Sequence, residues 1–172
     1  MIHSPSPNFD ARKPDANVDM LVLHYTGMRD GHVALERLRD PATKVSAHYM
    51  IEEEGTVYAL VDEELRAWHA GVSCWAGKRD INGCSIGIEL VNPGHEFGYR
   101  PFPAKQRDAL VVLAEDIVRR HPIPAHRVLG HSDVAPARKQ DPGELFDWAG
   151  LARVGIGLWP AQASGGPVLE EF

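Results

Sequence analysis

An α/β fold, in which helices cover a central mixed β-sheet, follows from three features of the sequence. Met20–Tyr25 (MLVLHY) is a short apolar run with the length of a buried strand, and residues 84–91 (CSIGIELV) form a second. Residues 104–121 carry Leu110, Leu113, Ala114, Ile117 and Val118 at i, i+3, i+4, i+7 and i+8, the single apolar stripe of an amphipathic helix. Strands and helices alternate along the chain, and stacking helices on a sheet buries both kinds of apolar face.

The remaining elements follow in order. Pro5, Pro7 and Pro14 resist helix, so residues 1–19 read as an extended arm. After Met20–Tyr25 the glycines at 27 and 31 break the chain, and 32–39 form a short helix ended by Pro41. Residues 45–52 and 57–61 are strands joined by the hairpin turn Glu53-Glu54-Gly55-Thr56. The Gly-, Trp- and His-rich stretch 68–83 has no period. Pro103 opens the long helix and Pro122 stops it. Residues 127–129 are one more strand, 131–142 a polar loop and 143–154 a last helix. The expected organisation is a domain over 1–160 and a loose tail over 161–172.

Composition removes several classes of function. With 172 residues the chain fits one domain and buries a core without covalent staples. A net charge of −6 argues against a nucleic-acid partner, whose phosphates need a basic face. Cys74 and Cys84 are too few for a disulfide framework and lack CxxC spacing. No apolar run reaches the ~18 residues of a membrane span. The first 19 residues lack the basic start and apolar stretch of a signal peptide, and no early lipidation cysteine is present, so a cytoplasmic location is expected. What stands out is histidine, present nine times.

Familiar nucleophile signatures fit poorly. Gly83-Cys84-Ser85-Ile86-Gly87 matches G-x-S-x-G, but that elbow needs a strand before the serine and a helix after it. Here a glycine-rich loop precedes and a strand follows. His95-Glu96 begins like HExxH but lacks the second histidine. A metal site is the better candidate. His24 lies at the end of the first apolar strand, where ligands bind in open α/β sheets. His131 directly follows a short strand, and Asp141 lies ten residues on. Two imidazoles and a carboxylate form a catalytic zinc set with one open position. Nine histidines offer many pairs, so the residues alone leave a structural role open for each; ordinary roles are expected for His3, His32, His95, His121 and His126.

Several collinear motifs narrow the choice: Leu23-His24-Tyr25-Thr26, Ser46-Ala47-His48-Tyr49, Arg66-Ala67-Trp68-His69-Ala70-Gly71, Ser85-Ile86-Gly87-Ile88-Glu89-Leu90, Gly130-His131-Ser132-Asp133 and the run 135–143. Together they resemble the zinc-dependent type 2 N-acetylmuramoyl-L-alanine amidases, and within them the AmpD/AmiD-like branch. The resemblance implies a single α/β domain with the fold shared by type 2 amidases and peptidoglycan recognition proteins. It also implies one Zn²⁺ per chain on His24, His131 and Asp141, with Glu89 and Lys139 as catalytic residues. Ala47 stands where related phage amidases carry a tyrosine, which shifts the acid–base work to Glu89. The implied reaction is hydrolysis of the amide between N-acetylmuramic acid and L-alanine in peptidoglycan or muropeptides, in cell-wall turnover or recycling.

Each residue also has a plainer reading. Glu89 alternates with Ile88 and Leu90 and reads equally as an outward strand residue; Lys139 beside Arg138 reads as a solvated loop lysine. Trp68, His69 and His48 are expected to line a substrate pocket, with core packing or hydrogen bonding as the alternative. Two other functions stay open at this level. One is a non-catalytic peptidoglycan-binding protein on the same fold; the other is a serine hydrolase through Ser85.

Overall fold

The computed structural model describes residues 1–160, and the tail expected over 161–172 lies outside them. The elements are β1 (Ile2–His3), β2 (Phe9–Ala11), β3 (Met20–Tyr25), α1 (Gly31–Arg39), β4 (Tyr49–Ile51), β5 (Val57–Ala59), β6 (Leu65–Ala67) and α2 (Ile81–Cys84). They continue with β7 (Ser85–Leu90), α3 (Gly94–Phe97), α4 (Ala104–Arg120), β8 (Val128–Gly130), α5 (His131–Val134) and α6 (Trp148–Arg153). Six strands make a mixed sheet in the order β1-β5-β4-β7-β3-β8, and β2 pairs with β6 in a separate ribbon. The four adjacent strands β4, β7, β3 and β8 run parallel, with β8 at the edge, while β5 is antiparallel to β4.

Period-2 alternation sorts the central strands onto two faces. Leu21, Leu23, Ile86, Ile88 and Leu90 pack against Leu110, Leu113, Ala114 and Ile117 of α4. The expected apolar stripe is therefore the buried one, with Val118 at its edge. Gln106 sits on the same buried face, where its Nε2 donates to the carbonyls of Ile51 and Val91 and satisfies two strand ends. The opposite face carries Met20 and Val22, packed with Ala70, Ile81 and Leu129, and farther out Met50 against Ala34 and Leu38 of α1.

Several expectations change in contact with the fold. The proline-rich arm supplies two short strands rather than none. Ser4 and Ser6 donate their N–H groups to Ala59 and Leu60, while Pro5 and Pro7 fall on alternate positions that need no donor. The strand expected over 45–52 narrows to β4, and the loop expected after His131 begins with the single turn α5. The last helix shrinks to α6, capped by Asp147, whose Oδ1 accepts from Gly150 N at 2.8 Å. Cys84 is buried and Cys74 is exposed on an irregular loop.

Arg12 ties the arm to the sheet. Its guanidinium donates to the carbonyls of Glu63, Asn82 and Ser85 at 3.0, 2.9 and 2.8 Å. Beside it lies His48, fully buried, whose Nδ1 accepts from Gly87 N and whose Nε2–H donates to the Leu65 carbonyl. Burial, and then the charge of Arg12, lower the His48 pKa from 6.5 to about 3, so the folded ring is neutral.

The unfolded chain takes up a proton on this histidine near pH 6.5, whereas folded His48 resists down to about pH 3. Between those values the unfolded state binds more protons, so stability falls as pH falls. The slope approaches about 1.4 kcal/mol per pH unit for each histidine held neutral in this way. Urea unfolding should show a lower midpoint at pH 5 than at pH 7.5 with an unchanged m-value; equal midpoints would contradict neutral burial.

Candidate active site

The pairing of β3 with its two neighbours builds the site. In the parallel register His24 lies opposite Glu89 of β7, and Leu23 lies opposite Gly130 of β8, which His131 follows directly. His24, Glu89 and His131 therefore gather at the carboxyl ends of three adjacent strands. Asp141 joins them from the loop after α5, where its carbonyl accepts from Ser132 N at 2.9 Å. Gly130 makes the approach possible, because a Cβ there would lie 2.7 Å from Pro142 Cδ and push the Asp141 segment away.

His24, His131 and Asp141 are all buried, and one ligand atom from each lies within 4.8 Å of the others. His24 Nδ1 is 2.9 Å from His131 Nδ1, and the two are 3.1 and 3.0 Å from Asp141 Oδ2. The outer partners say which nitrogens carry protons. His131 Nε2 faces the Ala70 carbonyl at 3.1 Å and must donate to it. Ser85 Oγ donates to the Ile81 carbonyl at 2.6 Å, leaving its oxygen to accept from His69 Nε2–H at 3.1 Å. His69 Nδ1 is then an acceptor and takes the Nε2–H of His24 at 3.0 Å.

In neutral rings both inward nitrogens are then bare lone pairs, facing a carboxylate. Burial, then the neighbouring His131, lower the His24 pKa to about 4, so it is a neutral ring. Three mutually adjacent lone-pair donors call for a cation between them, and two imidazoles with one carboxylate are a donor set suited to zinc.

His131 and Asp141 line an open cleft of about 750 Å³, and His24 lies in contact with both. Glu89 and Lys139 both line it. Glu89 stands on the face of β7 opposite α4, so its alternation with Ile88 and Leu90 turns it into the cleft and not toward bulk solvent. It is half-buried, and its Oε2 has no hydrogen-bond partner among the described residues. Burial, then the charge of Asp141, push its carboxyl well above the ordinary 4.5, with Lys139 opposing.

The three expected pocket residues separate. Trp68 lines the cleft half-buried, and its backbone N–H donates to Ser46 Oγ. His69 reaches the cleft with one edge but is buried and bonded on both ring nitrogens. His48 does not line the cleft: its ring lies under Arg12 with both nitrogens engaged, so the pocket expectation is corrected. His95, expected to have an ordinary role, stands on the cleft wall, accepting from Tyr25 OH and donating to Glu144. Nothing local in the sequence marks it, because its partners are 70 and 49 residues away. Ser85 is fully buried after a helix and before a strand, the reverse of a nucleophile elbow.

The sequence matches the family profile described as N-acetylmuramoyl-L-alanine amidase over residues 14–144. It is 41% identical over 155 residues to the N-acetylmuramoyl-L-alanine amidase AmiD of Escherichia coli, covering 83% of this chain and 55% of that protein. The chain thus spans about half the length of AmiD. It is 35% identical over 166 residues to the 1,6-anhydro-N-acetylmuramyl-L-alanine amidase AmpD of Enterobacter cloacae, covering 86% of each. The fold superposes on E. coli AmiD, solved with the substrate anhydro-N-acetylmuramic acid-L-Ala-D-gamma-Glu-L-Lys, with a TM-score of 0.78 at 40% identity. That match covers 87% of this chain and 63% of the solved one. A strand register that converges two histidines and a carboxylate under an open cleft, and a family match spanning three quarters of the residues, lead to one assignment: this chain belongs to the N-acetylmuramoyl-L-alanine amidase family.

Proposed function

We propose that the chain is a zinc-dependent amidohydrolase that cleaves the amide between the lactyl group of N-acetylmuramic acid and L-alanine in peptidoglycan or its muropeptide fragments. The observation that carries this reading is the convergence of three bare donors beside an unpartnered, buried carboxyl oxygen of Glu89. His24, His131 and Asp141 would hold one zinc ion. When bound there, zinc supplies Lewis acidity, bringing the pKa of water toward neutral and polarising an amide carbonyl.

Glu89 does the proton work. It accepts a proton from the attacking water as the new C–O bond forms, and returns it to the nitrogen as the C–N bond breaks. The products are a lactyl carboxylate and the free amine of L-alanine. A carboxyl raised by burial exchanges a proton nearer neutral pH than an ordinary glutamate does. Lys139, on the loop that carries Asp141, places a positive charge at the cleft, where negative charge develops on the carbonyl oxygen. Trp68 offers a flat face to the sugar or peptide. The complete donor set argues against a purely binding protein on this fold.

Incubation with peptidoglycan and with anhydro-muropeptide, followed by mass analysis, should show release of a stem peptide with a free L-alanine amine. Chelation should abolish the activity and Zn²⁺ restore it; activity indifferent to chelation would sink the reading. Glu89→Ala should keep one zinc per chain while kcat falls about 10²- to 10⁴-fold. Near-normal turnover would remove Glu89 from its role. Asp141→Ala should bring zinc well below one per chain by elemental analysis, and full occupancy would take Asp141 off the ligand set.

A further inference from the structure

One dipeptide contacts the outward nitrogen of both histidines. His69 accepts from His24 Nε2–H through its ring, and Ala70, the next residue, accepts from His131 Nε2–H through its carbonyl. The dipeptide is itself clamped. Asn82, buried in α2, receives both backbone N–H groups on a single oxygen: His69 N at 3.1 Å and Ala70 N at 2.7 Å from Oδ1. The Asn82 carbonyl in turn accepts from Arg12 Nη1. The His69 ring packs against Gly87, where a Cβ would meet its Cγ at 2.4 Å, so only glycine leaves room for it. Ser85 then closes the ring's far side.

We propose that the His69–Ala70 dipeptide, clamped by Asn82, is the positioning unit that keeps the inward nitrogens of His24 and His131 bare and aimed at the metal, and so sets metal affinity. Each neutral imidazole has two tautomers, and only the one protonated on Nε2 offers Nδ1 as a ligand here. In water the two tautomers interconvert freely; the dipeptide removes that freedom by presenting an acceptor to each Nε2. Outer partners of this kind commonly govern ten- to hundredfold in affinity. This inference rests on the proposed zinc site, and adds His69, Asn82 and Ser85 to it as residues that act through the ligands and do not touch the metal.

The test uses Zn²⁺ alone, with affinity read by competition against a chromophoric chelator and histidine Nε2–H signals read by ¹⁵N-edited NMR on the zinc-loaded protein. In the parent protein both His24 and His131 should show slowly exchanging Nε2–H signals. His69→Leu should weaken zinc binding ten- to hundredfold and abolish the protected His24 signal while sparing that of His131. His69→Asn keeps an acceptor at the δ position and should recover affinity to within a few-fold. Asn82→Ala should weaken zinc binding and the protection of both signals, whereas Asn82→Asp, which keeps the oxygen, should not. Affinity within twofold of the parent in both His69→Leu and Asn82→Ala would overturn the proposal. So would equal losses in His69→Leu and His69→Asn, which would mark mere packing. If His69→Leu fails to fold, the near-isosteric Ser85→Ala decides: the proposal expects weaker zinc binding and a lost His69 Nε2–H signal, and unchanged values overturn it. A parent protein that binds no zinc would refute the zinc site itself, a different result from variants that bind it normally.

Discussion

The register of β3 between β7 and β8 is the constraint on which the site depends. It sets His24 against Glu89 and Leu23 against Gly130, and it puts one face of all three strands toward α4. A slip of one residue would turn His24 into the α4 core and bring Leu23 to the cleft floor. The apolar side of the sheet prevents this. Leu21, Leu23, Ile86, Ile88 and Leu90 find cover only in the observed register, so burial on one face fixes the chemistry on the other.

The polar face is held by hydrogen bonds among groups that stay uncharged. His24, His48 and His69 are each driven toward the neutral form, foremost by burial. A neutral imidazole donates on one side and accepts on the other, so a chain of them has a direction. Here the chain starts at the Ile81 carbonyl, runs through Ser85 and His69 to His24, and ends in a lone pair aimed at Asp141. Arg12 supplies a half-buried positive charge nearby, directed at three backbone carbonyls and the edge of His48 and away from His24 and His131. The proline-rich arm, which carries little regular structure, is thus tied to the support beneath the cleft.

Local patterns carried much of this into view. The runs MLVLHY and CSIGIELV, and the stripe from Leu110 to Val118, announced two central strands and the covering helix, because period 2 and period 3.6 are properties of neighbouring residues. Strand ends pointed to His24 and His131 as a pair, and family motifs supplied Asp141, Glu89 and Lys139. The roles of His48, His69 and His95 were not legible. His48 and His69 sit in equally suggestive motifs, yet one ring lies under Arg12 and the other spans His24 and Ser85.

The amino-acid sequence therefore dictated the layers, the buried faces and the residue types able to bind a cation, since each depends on composition and on spacing over a few positions. Folding settled the rest: which histidines meet, which nitrogen of each looks inward, and whether Glu89 faces solvent or the cleft. Those outcomes join residues 45 to 117 positions apart, and they arise when apolar burial closes the sheet and brings a partner to every nitrogen of each buried ring.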